Sequence, residues 1–124
     1  MLLAVFAAAA VAACGASAGG SVPIVFGITG GNLVPYRVTI QPNGSIRASR
    51  GWSVRKEILP RQARRLRTEI TNAHLTTRMC AGALPDFATN YIQFGGRTFK
   101  LHGRCEPRFS RVFGDLVVAV KLRA

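Results

Sequence analysis

At 124 residues the chain suffices for one ordinary domain and leaves no room for a second hydrophobic core. Its 17 Lys and Arg oppose five Asp and Glu for a net charge of +12, while 48% of residues are hydrophobic, too many for a disordered polycation. Arg dominates the basic residues and the first charged side chain is Arg37, so the cationic character belongs entirely to residues 37–124.

The opening run MLLAVFAAAAVAA is apolar throughout. It is shorter than the roughly 18 to 20 residues that span a bilayer and has the size of a secretory leader's core, although the usual basic n-region is absent and Met1 is followed directly by leucines. Two cleavage patterns come next. Val11-Ala12-Ala13-Cys14 resembles a bacterial lipobox, in which Cys14 becomes the acylated first residue of an anchored lipoprotein, whereas Ala16-Ser17-Ala18 fits the small-x-small rule of ordinary secretion. The expected organisation is a leader over residues 1–18 and one domain over residues 19–124, secreted or held by lipid on the outer face of the cell membrane.

Several strands follow. Val22 to Thr29 is a first strand, and Gly30-Gly31-Asn32 connects it to a second in which Val34, Tyr36, Val38 and Ile40 alternate with polar partners. A three-residue turn, Pro42-Asn43-Gly44, sets Ile40 opposite Ile46 and Val38 opposite Ala48, keeping apolar residues on one face; a two-residue Asn43-Gly44 turn would mix the faces. Next, LPRQARRLRTEITNAHL carries an apolar helical stripe of Leu59, Ala63, Leu66, Ile70 and Ala73, with Pro60 in its first turn. In TNYIQFGGRTFKLH, a Gly95-Gly96 turn pairs Ile92 with Phe99 and Phe94 with Arg97. The last segment starts near Pro107 and stacks Phe109, Val112, Phe113, Leu116, Val117 and Val120, with Arg111 and Asp115 paired four apart. Its β-branched LVVAV and Gly114 also suit a strand, but the stripe favours a helix. The expected fold is α+β, in the order β-β-β-α-β-β-α, with two helices on one face of an antiparallel sheet.

Either fate of Cys14 leaves Cys80 and Cys105, an even pair in an exported chain, where oxidising surroundings favour a disulfide. There is no CxxC motif, and His74 and His102 do not stand at zinc-like spacing with the cysteines, so neither a metal site nor a catalytic thiol finds partners. Glu57, Glu69, Asp86, Glu106 and Asp115 form no close acid pair in the sequence, and no G-x-S-x-G elbow, H-E-x-x-H helix or P-loop occurs. The expectation is a non-catalytic protein without cofactor or metal.

The binding candidates come in two sets. Arg61, Arg64, Arg65 and Arg67 line the outer faces of the first helix, either as a solvated face or as a patch for anionic envelope polymer or lipid headgroups. Export argues against a physiological nucleic-acid partner. Trp52, set among cations, is either part of the core rim or a contact anchor. Asp86, in LPDFATNYI, either caps a turn through backbone amides or touches a partner.

Taken together, the strand ending in Gly30-Gly31, the hairpin with its Asn-Gly turn, the helix ILPRQARRLRTEI and the stretch PDFATNYIQFGGRTFKL, with Asp86 ahead of Tyr91, resemble the emfourin family of small bacterial proteins over residues 22–122. The founding member of that family inhibits thermolysin-like metalloproteases. Asn32 stands where an aromatic would be expected after the glycines, and the leader and cysteine pair are additions to the pattern. The resemblance implies an α+β architecture, a protease as macromolecular partner, and the Thr29 to Leu33 and Ala81 to Ala88 loops as the contact region, with Gly30, Gly31, Asn32 and Asp86 within it.

Overall fold

The structure, a computed structural model, describes residues 22–124. The leader and Cys14 lie outside the described residues. Six strands, β1 (Ile24–Thr29), β2 (Tyr36–Ile40), β3 (Ile46–Ala48), β4 (Arg78–Met79), β5 (Thr89–Phe94) and β6 (Arg97–His102), form one sheet in the order β3-β2-β1-β5-β6-β4. Two helices, α1 (Pro60–Ala73) and α2 (Pro107–Val120), complete an α+β fold. Neither is long and apolar enough to cross a membrane.

Both hairpin registers follow from their turns. Ile40 stands opposite Ile46 and Val38 opposite Ala48 across β2 and β3. Ile92 faces Phe99 and Phe94 faces Arg97 across β5 and β6. Gly95 and Gly96 both have positive φ, the conformation a two-residue turn needs to match the twist of its strands. One strand escaped the sequence pattern: β4 is two residues long and pairs parallel to the edge of β6, too short for alternation to register.

Strand β1 lies at the centre, hydrogen-bonded to β2 and β5. Ile24, Phe26 and Ile28 point to the helices, beside Val38, Ile40, Ile92 and Leu101. On α1, Ala63, Leu66 and Ile70 are buried and Ala73 packs at the margin. Leu59, expected to begin that stripe, is instead the extended N-cap residue and is 51% exposed. Its N–H donates to Gln62 Oε1 at 2.9 Å, and this local bond, not burial, fixes the helix start.

The LVVAV segment is helical. Phe109, Val112, Phe113, Leu116 and Val120 are buried along one stripe of α2, Glu106 caps the N-terminus by accepting from the Arg108 N–H, and Lys121 closes the C-terminus in a left-handed conformation. The gain from that stripe outweighs the modest helix penalty of β-branched residues. Phe113 meets Phe26 edge-on at 5.6 Å, joining α2 to the central strand. Arg111 and Asp115 make no ion pair within 4.0 Å. Asp115 instead faces Glu69 of α1 within hydrogen-bonding reach, and Arg111 shares an interhelical groove with Glu69.

Candidate functional site

Cys80 and Cys105 form a disulfide, with Cα atoms 5.6 Å apart. It closes the base of the loop over residues 80–88, which is then held at two further points. Cys80 N–H donates to the His102 carbonyl at 2.9 Å, and His102 Nε2 lies 3.0 Å from the Leu84 carbonyl. A carbonyl only accepts, so Nε2 donates to it, while Nδ1 lies 3.2 Å from the Thr89 hydroxyl oxygen. Within the loop, turns close from Ala83 N–H to the Cys80 carbonyl and from Phe87 N–H to the Leu84 carbonyl. Cys105 also stands just ahead of the Glu106 cap, and Glu106 Oε2 reaches Arg78 Nη1 at 3.6 Å, the one ion pair among the described residues.

The third hold comes from the loop after β1. Gly31 has φ of +68°, and a Cβ there would lie 2.6 Å from the Asp86 carbonyl oxygen, 2.7 Å from the Ala88 nitrogen and 2.9 Å from the Phe87 carbonyl carbon. Only a glycine lets these two backbones approach so closely. Asn32 reinforces the contact: its N–H donates to the Asp86 carbonyl at 3.2 Å, and its Nδ2 reaches Asp86 Oδ2 at 3.5 Å. Asp86 therefore accepts from a side-chain amide across the interface of the two loops. The backbone amides that its loop position suggested as donors do not reach its carboxylate. Gly30, by contrast, has open space where a Cβ would be.

The two loops present an apolar surface. Leu33 is 62% exposed, Val34 68%, Leu84 54% and Phe87 45%. Between them lies a cavity of about 630 Å³ lined by Asn32, Leu33, Asp86, Phe87, Arg104 and Ser110, among others. Across Leu33 a second cavity, of about 560 Å³, opens between Tyr36, Trp52 and Phe113.

Trp52 reaches this end of the molecule on the connection between β3 and α1. That connection bonds to the end of α2 through reciprocal Ser53 and Arg123 backbone bonds at 2.7 and 2.8 Å, and through Arg55 N–H to the Val120 carbonyl at 2.9 Å. The Trp52 ring packs on Tyr36 with centroids 4.7 Å apart, and its Nε1 donates to the Pro35 carbonyl at 3.2 Å. It is half-buried, at the rim of the core. Burial of Tyr36, with a smaller contribution from Tyr91, pushes its hydroxyl up to about 12, so it stays a neutral donor.

The structure thus gathers Gly30, Gly31, Asn32, Asp86 and Trp52 at one end, with the Cys80–Cys105 disulfide alongside. Arg61, Arg64, Arg65 and Arg67 lie elsewhere, on α1. Arg61, Arg64 and Arg65 are exposed, and none of the four has a carboxylate within 4.0 Å among the described residues.

Two features left little trace in the sequence. His102 anchors the 80–88 loop; the Gly95-Gly96 register, which sets Thr89 opposite His102, was the signal available. Glu69 and Asp115 meet across the two helices, and Glu69's carboxyl is pushed up to about 7 by burial first and by Asp115 second, with Arg111 opposing the rise. Among the described residues, no three His, Cys, Asp or Glu side chains gather as a metal site would need. Against this geometry, no protein-family model, curated protein or solved structure matches the chain.

Proposed function

We propose that the chain is a non-catalytic binding domain, exported from a bacterial cell, that grips a macromolecular partner with the paired loops over residues 30–34 and 80–88. The observation that carries this reading is the contact of Gly31 with the Asp86 to Ala88 backbone, which joins two loops from distant parts of the chain into one platform. Its exposed Leu33, Leu84 and Phe87 are the type of side chains that supply contact energy when buried by a partner. The disulfide and the His102 bonds hold that platform before binding, which lowers the entropy lost on association. The emfourin resemblance supplies the partner class, a thermolysin-like protease.

The test is a titration of such a protease with the full chain in 0.5 M NaCl. Activity falling linearly to an equivalence point, and retained when Phe87→Glu is used, is the expected result. Full activity at a tenfold molar excess of the chain contradicts the reading.

The unpaired, exposed Arg61, Arg64 and Arg65 favour a second reading, a cationic module on anionic envelope polymer or lipid headgroups. Such binding would weaken sharply above about 0.2 M salt and would be lost on charge reversal of α1, with the loops untouched.

A further inference from the structure

The helices cover one face of the sheet and leave the other open. Strand register sets Arg37 opposite Gly27, Gly27 opposite Tyr91 and Tyr91 opposite Lys100, one row across β2, β1, β5 and β6. Their chain neighbours Phe26, Val38, Ile92 and Leu101 fill the core, so the row faces outward. At about 4.8 Å per strand, Arg37 and Lys100 stand about 14 Å apart, and both are exposed with no carboxylate within 4.0 Å among the described residues. No strand carries an Asp or Glu. Glu57, bridged to Ser45, stands at the corner of this face, about 13 Å along β2 from the level of Arg37.

Between the two cations the floor is low. Gly27 has no side chain, and the Tyr91 hydroxyl lies 2.8 Å from where a Gly27 Cβ would be, so the Tyr91 ring leans over β1 toward β2. Tyr91 is only 9% exposed, yet its hydroxyl makes no hydrogen bond to a protein group among the described residues. No buried side-chain oxygen there lacks a partner, so this hydroxyl opens to solvent. Directly opposed Cβ positions are about 5 Å apart, which puts the hydroxyl within about 8 Å of Arg37 Cβ, inside the reach of the guanidinium. Donors in such a row complement negative charges repeated along a chain. Tyr91 is too deeply covered to offer a ring face on which a nucleobase could stack. Met79, at the β4 edge, is the one exposed large apolar side chain on the strands, too little to anchor in a bilayer.

From this arrangement we infer that the open face binds a linear polyol phosphate, a phosphodiester chain without bases, with one phosphate on Arg37 and the Tyr91 hydroxyl and another on Lys100. The site uses strand residues alone. It is therefore independent of the loop platform, and it lies across the sheet from the arginines of α1.

The experiment follows a fluorescent decamer of glycerol phosphate by anisotropy as the full chain is added, between 0.05 and 0.2 M NaCl. The expected result is saturable binding that weakens with salt. Arg37→Gln and Lys100→Gln should each lower the slope of log Kd against log salt by about 0.7. Tyr91→Phe removes the hydroxyl without a charge, so it should weaken binding about threefold to tenfold at unchanged slope. Arg37→Gln with Lys100→Gln should cost tenfold or more, whereas Arg61→Gln with Arg64→Gln, the same charge change on α1, should leave Kd within threefold. An absence of saturable binding, an unaltered Kd in Tyr91→Phe, or equal losses from the two double variants would overturn the proposal, the last by assigning the binding to net charge alone. Tighter binding of a thymidine decamer, or of phosphatidylglycerol vesicles at equal phosphate, would overturn it in favour of a nucleic acid or a membrane.

Discussion

Replacing Gly31 with alanine separates the conformational from the contact contribution at the loop pair. Gly30 and Gly31 both hold positive φ, +72° and +68°, so an alanine at either carries about 1 to 2 kcal/mol of backbone strain. At Gly30 the added methyl enters open space, whereas at Gly31 it lands 2.6 to 2.9 Å from three backbone atoms of residues 86–88. Backbone cannot rotate aside as a flexible side chain can, so relief means displacing the loop against its disulfide and the His102 bond. Overpacking of this kind adds about 1 to 3 kcal/mol. Urea unfolding of the two variants is the assay: Gly31→Ala should fall below Gly30→Ala by that margin at unchanged m-value. Equal stabilities within about 0.5 kcal/mol would refute the claim that the loops are pressed together.

Other consequences are as specific. Reducing the Cys80–Cys105 bond, or replacing both cysteines with serine, should lower stability by about 3.5 kcal/mol in the chain-entropy model for a 25-residue separation, read from the urea midpoint with and without reductant. Leu116→Ala removes a fully buried side chain from α2 and should destabilise by about 2 to 5 kcal/mol, whereas Val118→Ala, at an exposed position of the same helix, should change stability by under about 0.5 kcal/mol. Glu69 binds its proton more tightly when folded, with a carboxyl near 7 against 4.5, so its contribution to stability is present below pH 4.5 and is lost as pH rises to about 7. Solvent screening at this partly exposed seam holds the loss to about 1 kcal/mol, and Glu69→Gln should flatten that part of the stability profile between pH 5 and pH 8.

How much of this was legible depended on whether the constraint was local. The Pro42-Asn43-Gly44 and Gly95-Gly96 turns dictate their own registers, because a slip by one residue would turn Ile40 or Ile92 out of the core. The stripe of α2 overruled its β-branched run for a similar reason: five side chains bury together only in a helix. The cysteine pair was legible from its even count. What stayed hidden was long-range. The pairing of β1 with β5, which brings Gly31 under Asp86, joins segments about 60 residues apart, and no periodicity encodes it. The same holds for Glu69 and Asp115, whose helices had to dock before the two acids could meet, and for Trp52, which reaches Tyr36 only because Ser53 and Arg55 bond to the end of α2.

The central claim is that the joined loops, and not the arginine face of α1, make the partner contact. Its most direct test is the protease titration in 0.5 M NaCl run with three proteins in parallel: the unaltered chain, Phe87→Glu, and an α1 triple variant with Arg61, Arg64 and Arg65 changed to Glu. Stoichiometric inhibition by the first and third, and none by the second, is the predicted result. Inhibition that survives Phe87→Glu and disappears in the α1 variant would contradict it.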